Sequence, residues 1–451
     1  MISGAGRLWR LLVRVVLVSL CVEGFVTLAL YSFKGHALVL LVKDALLTIA
    51  YMAFAVWALR ERPSWAWPLT IVVPLVALVV LSVAELFNPA VENVSVALVG
   101  IRTRLLYMPL SVLGYFFFVR PRDVEDFGLL LAIPSIPVSL FGVVQYALGP
   151  ENVATWGSGF AASVWTVGTF HGEAVYRPTS TFSFTGHFAN YLLVATLLTA
   201  ALCIWGQSST TRRWVFRVSL VCQCVAVMVS GARLVLLFVP GGIATLWLLA
   251  AVRQRWQRPG PRWSPALGWT AGVTIVGLLI GALIAPTGVY RTQSIVAPSV
   301  HRQLNIVDTL HVSMRRLQSL SGTDLLWAHG LGSASPGARY VIKDRERFIT
   351  TGPFEGAVGQ YIWETGVAGV ILFAMAWLGM LGHGAVRALR LRDPLLQCVA
   401  AAIILLHGFI FVTSGTYALM AYAPISVYFW LLLGILLKLP DLDSPPAPAP
   451  H

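Results

Sequence analysis

Along the 451-residue chain, long apolar runs alternate with short polar punctuation. Runs of about eighteen or more apolar residues predict membrane-crossing helices. Such runs fall near 11–31, 37–59, 67–87, 99–119, 127–147, 184–206, 214–231, 232–252, 266–286, 359–381, 395–413 and 418–438. The seventh and eighth are nearly fused around Ser230-Gly231-Ala232-Arg233, a tight reversal. The pattern predicts an all-α, polytopic membrane protein of about 12 helices, with residues 1–439 as one transmembrane domain. From Pro440 to His451 the chain is rich in Pro and Ala and is expected to be a disordered tail. Two stretches interrupt the rhythm, 148–183 and 287–358. Both keep tryptophans and patterned apolar positions, so they read as ordered, functional loops. Within the second, 301–320 reads as an amphipathic helix with Leu304, Val307, Met314 and Leu317 near one side. It is expected to lie on the membrane surface.

Composition agrees with lipid burial. Charged residues make up 11% and hydrophobic ones 57%, where a soluble domain carries roughly a quarter charged residues. The net charge of +13 would suit nucleic acid only if it formed a basic domain, and many of the basic residues sit instead in short blocks between apolar runs. Nucleic acid is therefore not an expected partner; the lipid bilayer is. Arg60/Arg62, Arg120/Arg122, Arg212/Arg213/Arg217, Arg253/Arg255/Arg258/Arg262, Arg387/Arg390/Arg392 and the N-terminus all fall on one side of the predicted topology. The positive-inside rule makes that side cytoplasmic, with both termini there and the two long loops outside. Arg7, Arg10 and Arg14 ahead of the first run resemble a signal sequence, but no clear small-residue cleavage site follows, so a retained first helix is expected. The five cysteines lie inside apolar runs; Cys222 and Cys224 point to different helix faces and read as small hydrophobes rather than metal ligands.

Topology does not account for the cations left on the outer side: Lys34, Lys43, Arg102, Arg104, Arg177, Arg233, Arg291, Arg302, Arg315, Arg316, Arg339, Lys343, Arg345 and Arg347. An outer vestibule so lined suits a phosphate or pyrophosphate, which arginine grips bidentately. The plainer alternative is headgroup contact and pairing with acids such as Asp344 and Glu346. Arg233, set between two apolar runs, is a functional candidate by its cost alone. Arg177 opens a polar segment in which His187, Asn190 and Tyr191 share a helix face by i, i+3, i+4 spacing; interhelical hydrogen bonding is the alternative reading. Glu355, Gln360 and Glu364 frame the tenth span, and a carboxylate there could take a proton from an attacking hydroxyl or simply pair with an arginine. Glu23, Asp44 and Glu85 are expected to pair structurally with Lys43, Arg102 or Arg104. No phosphate-cradling glycine loop, zinc spacing or outer Asp-x-Asp is found; Asp441-Leu442-Asp443 reads as a solvated acid pair in the tail. No metal or nucleotide cofactor is expected.

The order of pieces resembles the O-antigen ligase and O-antigen polymerase superfamily of bacterial envelope polysaccharide synthesis. The matching residues are Arg177 with Gly186, Asn190 and Tyr191; Ser230-Gly231-Ala232-Arg233; Gly330-Leu331-Gly332; and Glu364-Thr365-Gly366, spread over roughly 130–435. Where ligases of the family carry a histidine followed by asparagine, this chain has Glu355-Gly356, which favours a polymerase-like member, for instance for an exopolysaccharide. The resemblance implies a GT-C-like architecture in the bacterial inner membrane and a glycan on a polyprenyl (undecaprenyl) pyrophosphate as substrate. It also implies a flippase and a chain-length regulator as neighbours. For such a substrate Arg177 and Arg233 are expected to bind the pyrophosphate, with Arg233 also offsetting charge in the reaction, and Glu355 or His187 to act as the base; Asn190, Tyr191, Gln360 and the outer cations Arg102, Arg104, Arg315 and Arg316 are further candidates for substrate contact. A ligase, a lipid-linked glycan transporter or flippase, and a non-catalytic scaffold stay open as alternatives.

Overall fold

A computed structural model describes residues 4–33, 38–65, 67–153, 165–170, 173–206, 209–257, 265–285, 322, 328–335, 337–338, 341–342, 356–414 and 423–443. Its helices are α1 (Gly4–Ser19), α2 (Glu23–Ala29), α3 (Val39–Glu61), α4 (Leu69–Ala84), α5 (Val94–Gly100), α6 (Leu110–Phe117), α7 (Arg122–Val153), α8 (Thr185–Trp205), α9 (Thr210–Ser230), α10 (Arg233–Gln257), α11 (Pro265–Ile284), α12 (Ala357–Ala388), α13 (Pro394–Thr413) and α14 (Ile425–Leu442). Among the described residues, 11 helical stretches are long and apolar enough to cross a membrane, and the pair α1–α2, bent by 52°, makes a twelfth. The protein is an all-α polytopic membrane protein.

Arg10 on α1 donates to the Phe116 carbonyl at the end of α6, and Tyr115 beside it donates to Asp441 on α14. α1 therefore starts, and α14 ends, at one end of the bundle, as an even number of crossings requires. That end is called the terminal end below, and the opposite one the far end. α8 and α14 are enclosed nearly along their whole length, whereas α3, α4, α10 and α11 carry the exposed leucines, valines and isoleucines that face lipid. In a membrane no hydrophobic force drives helices together, so close backbone approach matters more. Gly434 on α14 and Gly114 on α6 supply it: a Cβ on Gly434 would stand 1.9 Å from the Ser111 carbonyl oxygen, and one on Gly114 2.2 Å from that of Leu431. A polar knot ties α7, α8 and α9, with the Gln223 amide donating to Ser135 (2.7 Å), Ser219 (2.9 Å) and Thr199 (3.3 Å).

Two local expectations change. The loop over 148–183 contains a short antiparallel hairpin, β1 (Trp165–Phe170) and β2 (Glu173–Arg177). Residues 440–442, expected to open the tail, instead end α14, which runs through Pro440 to Leu442. Asp441 and Asp443 are not a solvated pair: Asp441 meets Arg387 at 2.6 Å, and Asp443 accepts from the Arg392 and Asp393 amides. These bonds staple the end of α14 to the α12–α13 turn. The amphipathic helix expected at 301–320 lies outside the described residues.

Candidate functional site

Of the cations that topology left unexplained, the described residues include Lys43, Arg102, Arg104, Arg177 and Arg233, which lie at the far end of the bundle in three groups; Lys34, Arg291, Arg302, Arg339, Lys343, Arg345 and Arg347 lie outside the described residues.

The first is built on a broken span. α5 ends at Gly100, the chain continues as a π-helical turn over Ile101–Leu105, and α6 resumes at Leu110. Such turns offer backbone and side chains at angles that a regular helix does not. Here the turn sends Arg102 and Arg104 to different partners. Arg104 donates through Nε to Glu364 at 2.7 Å and through Nη2 to Gln360 at 3.4 Å, and its guanidinium lies 3.9 Å over the Tyr361 ring. Both members of this pair are enclosed, at 3% and 0% exposure. The other oxygen of Glu364 accepts from the Ser335 hydroxyl (2.8 Å) and the Ala334 amide (3.2 Å), and Ser335 reaches Thr103 at 3.0 Å. A buried ion pair holds only if further hydrogen bonds satisfy its free valences, and these do.

The second group uses Arg102. Its Nε meets Asp44 at 2.5 Å; the other Asp44 oxygen accepts from Tyr107 at 2.9 Å. The neighbouring Lys43, buried, pairs with Glu23 at 2.7 Å on the bent α2. Two acids thus balance two bases. The expected pairings of Glu23 and Asp44 appear, whereas Glu85 takes an amide instead, 2.7 Å from Asn88. Unlike Lys43 and Arg104, Arg102 keeps 36% of its side chain exposed.

The third group joins Arg177 to Arg233. Arg177, the last residue of β2, donates through Nε to the Ser230 carbonyl at 3.1 Å. Ser230 ends α9, Gly231 turns the chain with φ 56°, and Arg233 begins α10. Arg177 therefore reaches the turn that leads into Arg233, and both arginines are half-buried. The segment after Arg177 is fixed from α7. Buried Gln145 accepts from the Ser180 amide (2.7 Å) and donates to its carbonyl (3.2 Å), and the Ser180 hydroxyl reaches the Val138 carbonyl at 2.5 Å. Ser180 is held at φ 52°, a left-handed conformation that costs an L-residue about 1–2 kcal/mol. His187 follows on the first turn of α8, 3.4 Å from the Ser183 hydroxyl and within electrostatic reach of Lys43. The backbone of Phe182 and Ser183 presses on Gly24, next to Glu23, so the second and third groups adjoin.

One stretch of the long second loop docks on this end. The Asn88 side-chain amide holds the Ala328 carbonyl at 2.6 Å, Leu331 donates to the Glu85 carbonyl, and His329 stacks on Trp363 at 3.7 Å. The Gly330-Leu331-Gly332 motif works by close approach: a Cβ on Gly332 would lie 2.1 Å from the Val96 carbonyl oxygen and 2.8 Å from the Gly100 amide.

Of the residues singled out from sequence, Arg177, Arg233, Arg102 and His187 lie at the far end with side chains half-buried at most. Others are corrected. Arg104 and Gln360 are committed to Glu364 and to one another, inside the bundle. Tyr191 is fully buried with its hydroxyl on the Leu131 carbonyl, and Asn190 is buried beside it. Of the stripe they form with His187, only His187 on the first turn of α8 is part-exposed, while Asn190 and Tyr191 are closed in by neighbouring helices. Glu355, Arg315 and Arg316 lie outside the described residues. Sequence reading missed Gln145, Ser180, Tyr107, Thr103 and Ser335. The one local signal among them was a glutamine in an apolar run.

Fold and far-end chemistry define a polytopic helical membrane protein in which the interior cations Lys43 and Arg104 are each matched to an acid, with Arg177 and Arg233 at an interhelical turn. No family model matches the chain, and no curated protein matches it.

Proposed function

We propose that the protein is a metal-independent membrane glycosyltransferase that joins glycan repeat units carried on polyprenyl pyrophosphate, working at the far, periplasmic end of the bundle. The observation that carries this reading is the Arg177–Ser230 bond, which brings Arg177 within three residues of Arg233 along the turn. Two arginines on one turn suit a diphosphate, each guanidinium able to grip two oxygens. In the proposed step an acceptor hydroxyl attacks the sugar's anomeric carbon, and its proton passes to His187 or Glu355. The bond from that carbon to the pyrophosphate oxygen breaks, and the electron pair leaves with the diphosphate. Arg177 and Arg233, joined by the part-exposed Arg102, offset the charge gathering on that leaving group. Pyrophosphate leaves without protonation, so no general acid is required. Arg104 serves the site indirectly, by holding the broken fourth span against α12.

The test is chain extension in proteoliposomes supplied with polyprenyl-pyrophosphate-linked repeat. Arg177→Ala and Arg233→Ala should each lower the rate by about a hundredfold or more, with Arg→Lys little better and unfolding unchanged. Full activity in both variants would end the proposal. A product made only when a separate acceptor is added would make the protein a ligase instead. A second reading, a carrier of lipid-linked glycan, is favoured by the breaks in α1–α2, α5–α6 and α12 at Gly366, since transporters use interrupted helices to bind charge. It predicts substrate crossing the bilayer without a new glycosidic bond.

A further inference from the structure

The first helix carries three cations that neither the far-end groups nor the proposed reaction uses. α1 turns Trp9, Val13 and Val16 into the core and leaves Leu8, Leu11, Val15 and Val18 exposed. On a crossing helix such a row faces acyl chains. Arg7 and Arg14 lie on the same exposed side, about two turns apart. Arg10 sits between them, turned toward the bundle: it donates to the Gly6 and Phe116 carbonyls, both at 3.0 Å, and lies over the Trp9 and Trp57 rings at 4.5 and 5.6 Å. The buried Nε of Arg10 has no hydrogen-bond partner among the described residues. Arg14 approaches the Phe117 ring at 5.9 Å. Among the described residues no carboxylate pairs with any of the three. Asp123, within electrostatic reach of Arg10, is engaged by the Val119 and Arg120 amides and the Arg120 guanidinium. Elsewhere at this end arginines do find acids, as Arg212 finds Asp126 and Arg387 finds Asp441. Along α1 an open cleft of about 550 Å³ is lined by Gly4, Arg7, Leu8, Arg10, Leu11 and Arg14.

We propose that this cleft binds an anionic phospholipid, with its phosphate held by Arg7, Arg10 and Arg14 and an acyl chain lying along Leu8, Leu11 and Val15. The charge pattern calls for a phosphate-like anion, which guanidinium groups bind bidentately. The depth calls for a lipid: Arg14 stands two turns further into the apolar row than Arg7, where an uncompensated cation is costly. A soluble anion would meet the arginines but leave the flanking leucines and valine uncovered, whereas a phospholipid covers both. Basic pockets on the face of a helical bundle are suited to such headgroups. This site lies at the opposite end from the proposed transfer reaction and does not depend on it.

The experiment is native mass spectrometry of the full chain from micelles containing equal phosphatidylglycerol and phosphatidylcholine of matched chains. Wild type should retain phosphatidylglycerol preferentially. Arg7→Gln with Arg14→Gln should lower that retention about tenfold or more, while phosphatidylcholine retention stays the same. Arg390→Gln, an exposed arginine at the same end, should leave it unchanged. If the double glutamine variant does not fold, Arg14→Gln alone should still lose most of the preference, and Arg7→Lys with Arg14→Lys should keep most of it. Equal retention of the two lipids by wild type, or undiminished phosphatidylglycerol binding by the glutamine variants, overturns the proposal. So does displacement of the lipid by millimolar inorganic phosphate, which would mark a phosphate site with no acyl contribution.

Discussion

At the terminal end of the bundle, arginines are held near the surface: Arg387 with Asp441, Arg212 with Glu125 and Asp126, and Arg120, largely exposed, with Asp123. At the far end cations are drawn inside, where Lys43 and Arg104 are almost wholly enclosed and each is matched to an acid. The difference separates two uses of one residue type. Surface cations set the sidedness of the chain, as the positive-inside rule describes, and need no specific partner. Interior cations gain nothing for sidedness and would be expelled unless paired. Their presence marks a part of the fold built around charge, and that part adjoins the turn of Ser230 to Arg233 on which Arg177 is held.

The sharpest way to break this contrast is Glu364→Ala. It leaves the Arg104 guanidinium, the Ser335 hydroxyl and the Ala334 amide without their shared acceptor in a closed site. Removing one partner of a buried ion pair costs about 3–5 kcal/mol, so detergent-titrated unfolding should shift by that amount. Arg104→Met combined with Glu364→Leu should recover most of the loss, because a matched apolar pair replaces a matched charged one. If Glu364→Ala destabilises no more than a surface substitution at the other end, the interior charges are not organising the fold.

How far this could be read beforehand depends on how local each signal was. The twelve spans were legible because run length and hydropathy are properties of contiguous residues; each predicted span overlaps an observed one. Arg233 was conspicuous for the same reason, as a charge beside a turn between apolar runs. Partner choice was not legible: Arg104 and Glu364 are 260 positions apart, and no local pattern states which acid an arginine will meet. Tyr191 shows the limit of helical periodicity. Spacing gives the face a side chain occupies, but not whether that face looks onto solvent, lipid or another helix. The β1–β2 hairpin escaped because its alternation is short and sits in a loop between two strong helical signals.

A middle-sized effect sharpens the contrast at the segment that carries Arg177. Gln145→Leu removes both of its hydrogen bonds to the Ser180 backbone, leaving the buried amide unpaired and the carbonyl with only the Thr179 hydroxyl at 3.3 Å. Each such group costs about 1–3 kcal/mol when its partner is deleted, and the total here should be near the lower end because local relaxation can recover one of them. Ser180→Gly in the same background should return part of the loss, since glycine adopts φ 52° freely. If the proposed reaction holds, chain extension should fall in Gln145→Leu with a raised apparent KM and recover in step with the glycine. Stability loss with no recovery by glycine would mean that Gln145 fills space and does not set the backbone.

The smallest effect belongs to the terminal end. Asp441 meets Arg387 at 2.6 Å, Tyr115 at 2.8 Å and Lys438 at 3.4 Å, but about a quarter of it is exposed, at 27%. Asp441→Ala frees side chains that can turn to water, so the cost should be about 1 kcal/mol or less. The more telling measurement is its salt dependence. Raising ionic strength from about 0.01 to 1 M contracts the screening length from roughly 30 to 3 Å, so the cost of Asp441→Ala should shrink toward zero. The cost of Glu364→Ala, in a site that salt does not enter, should hold constant across the same range. Two parallel salt curves would mean that both pairs stand in comparable contact with solvent, and the distinction between sidedness charges and interior charges would lose its physical basis.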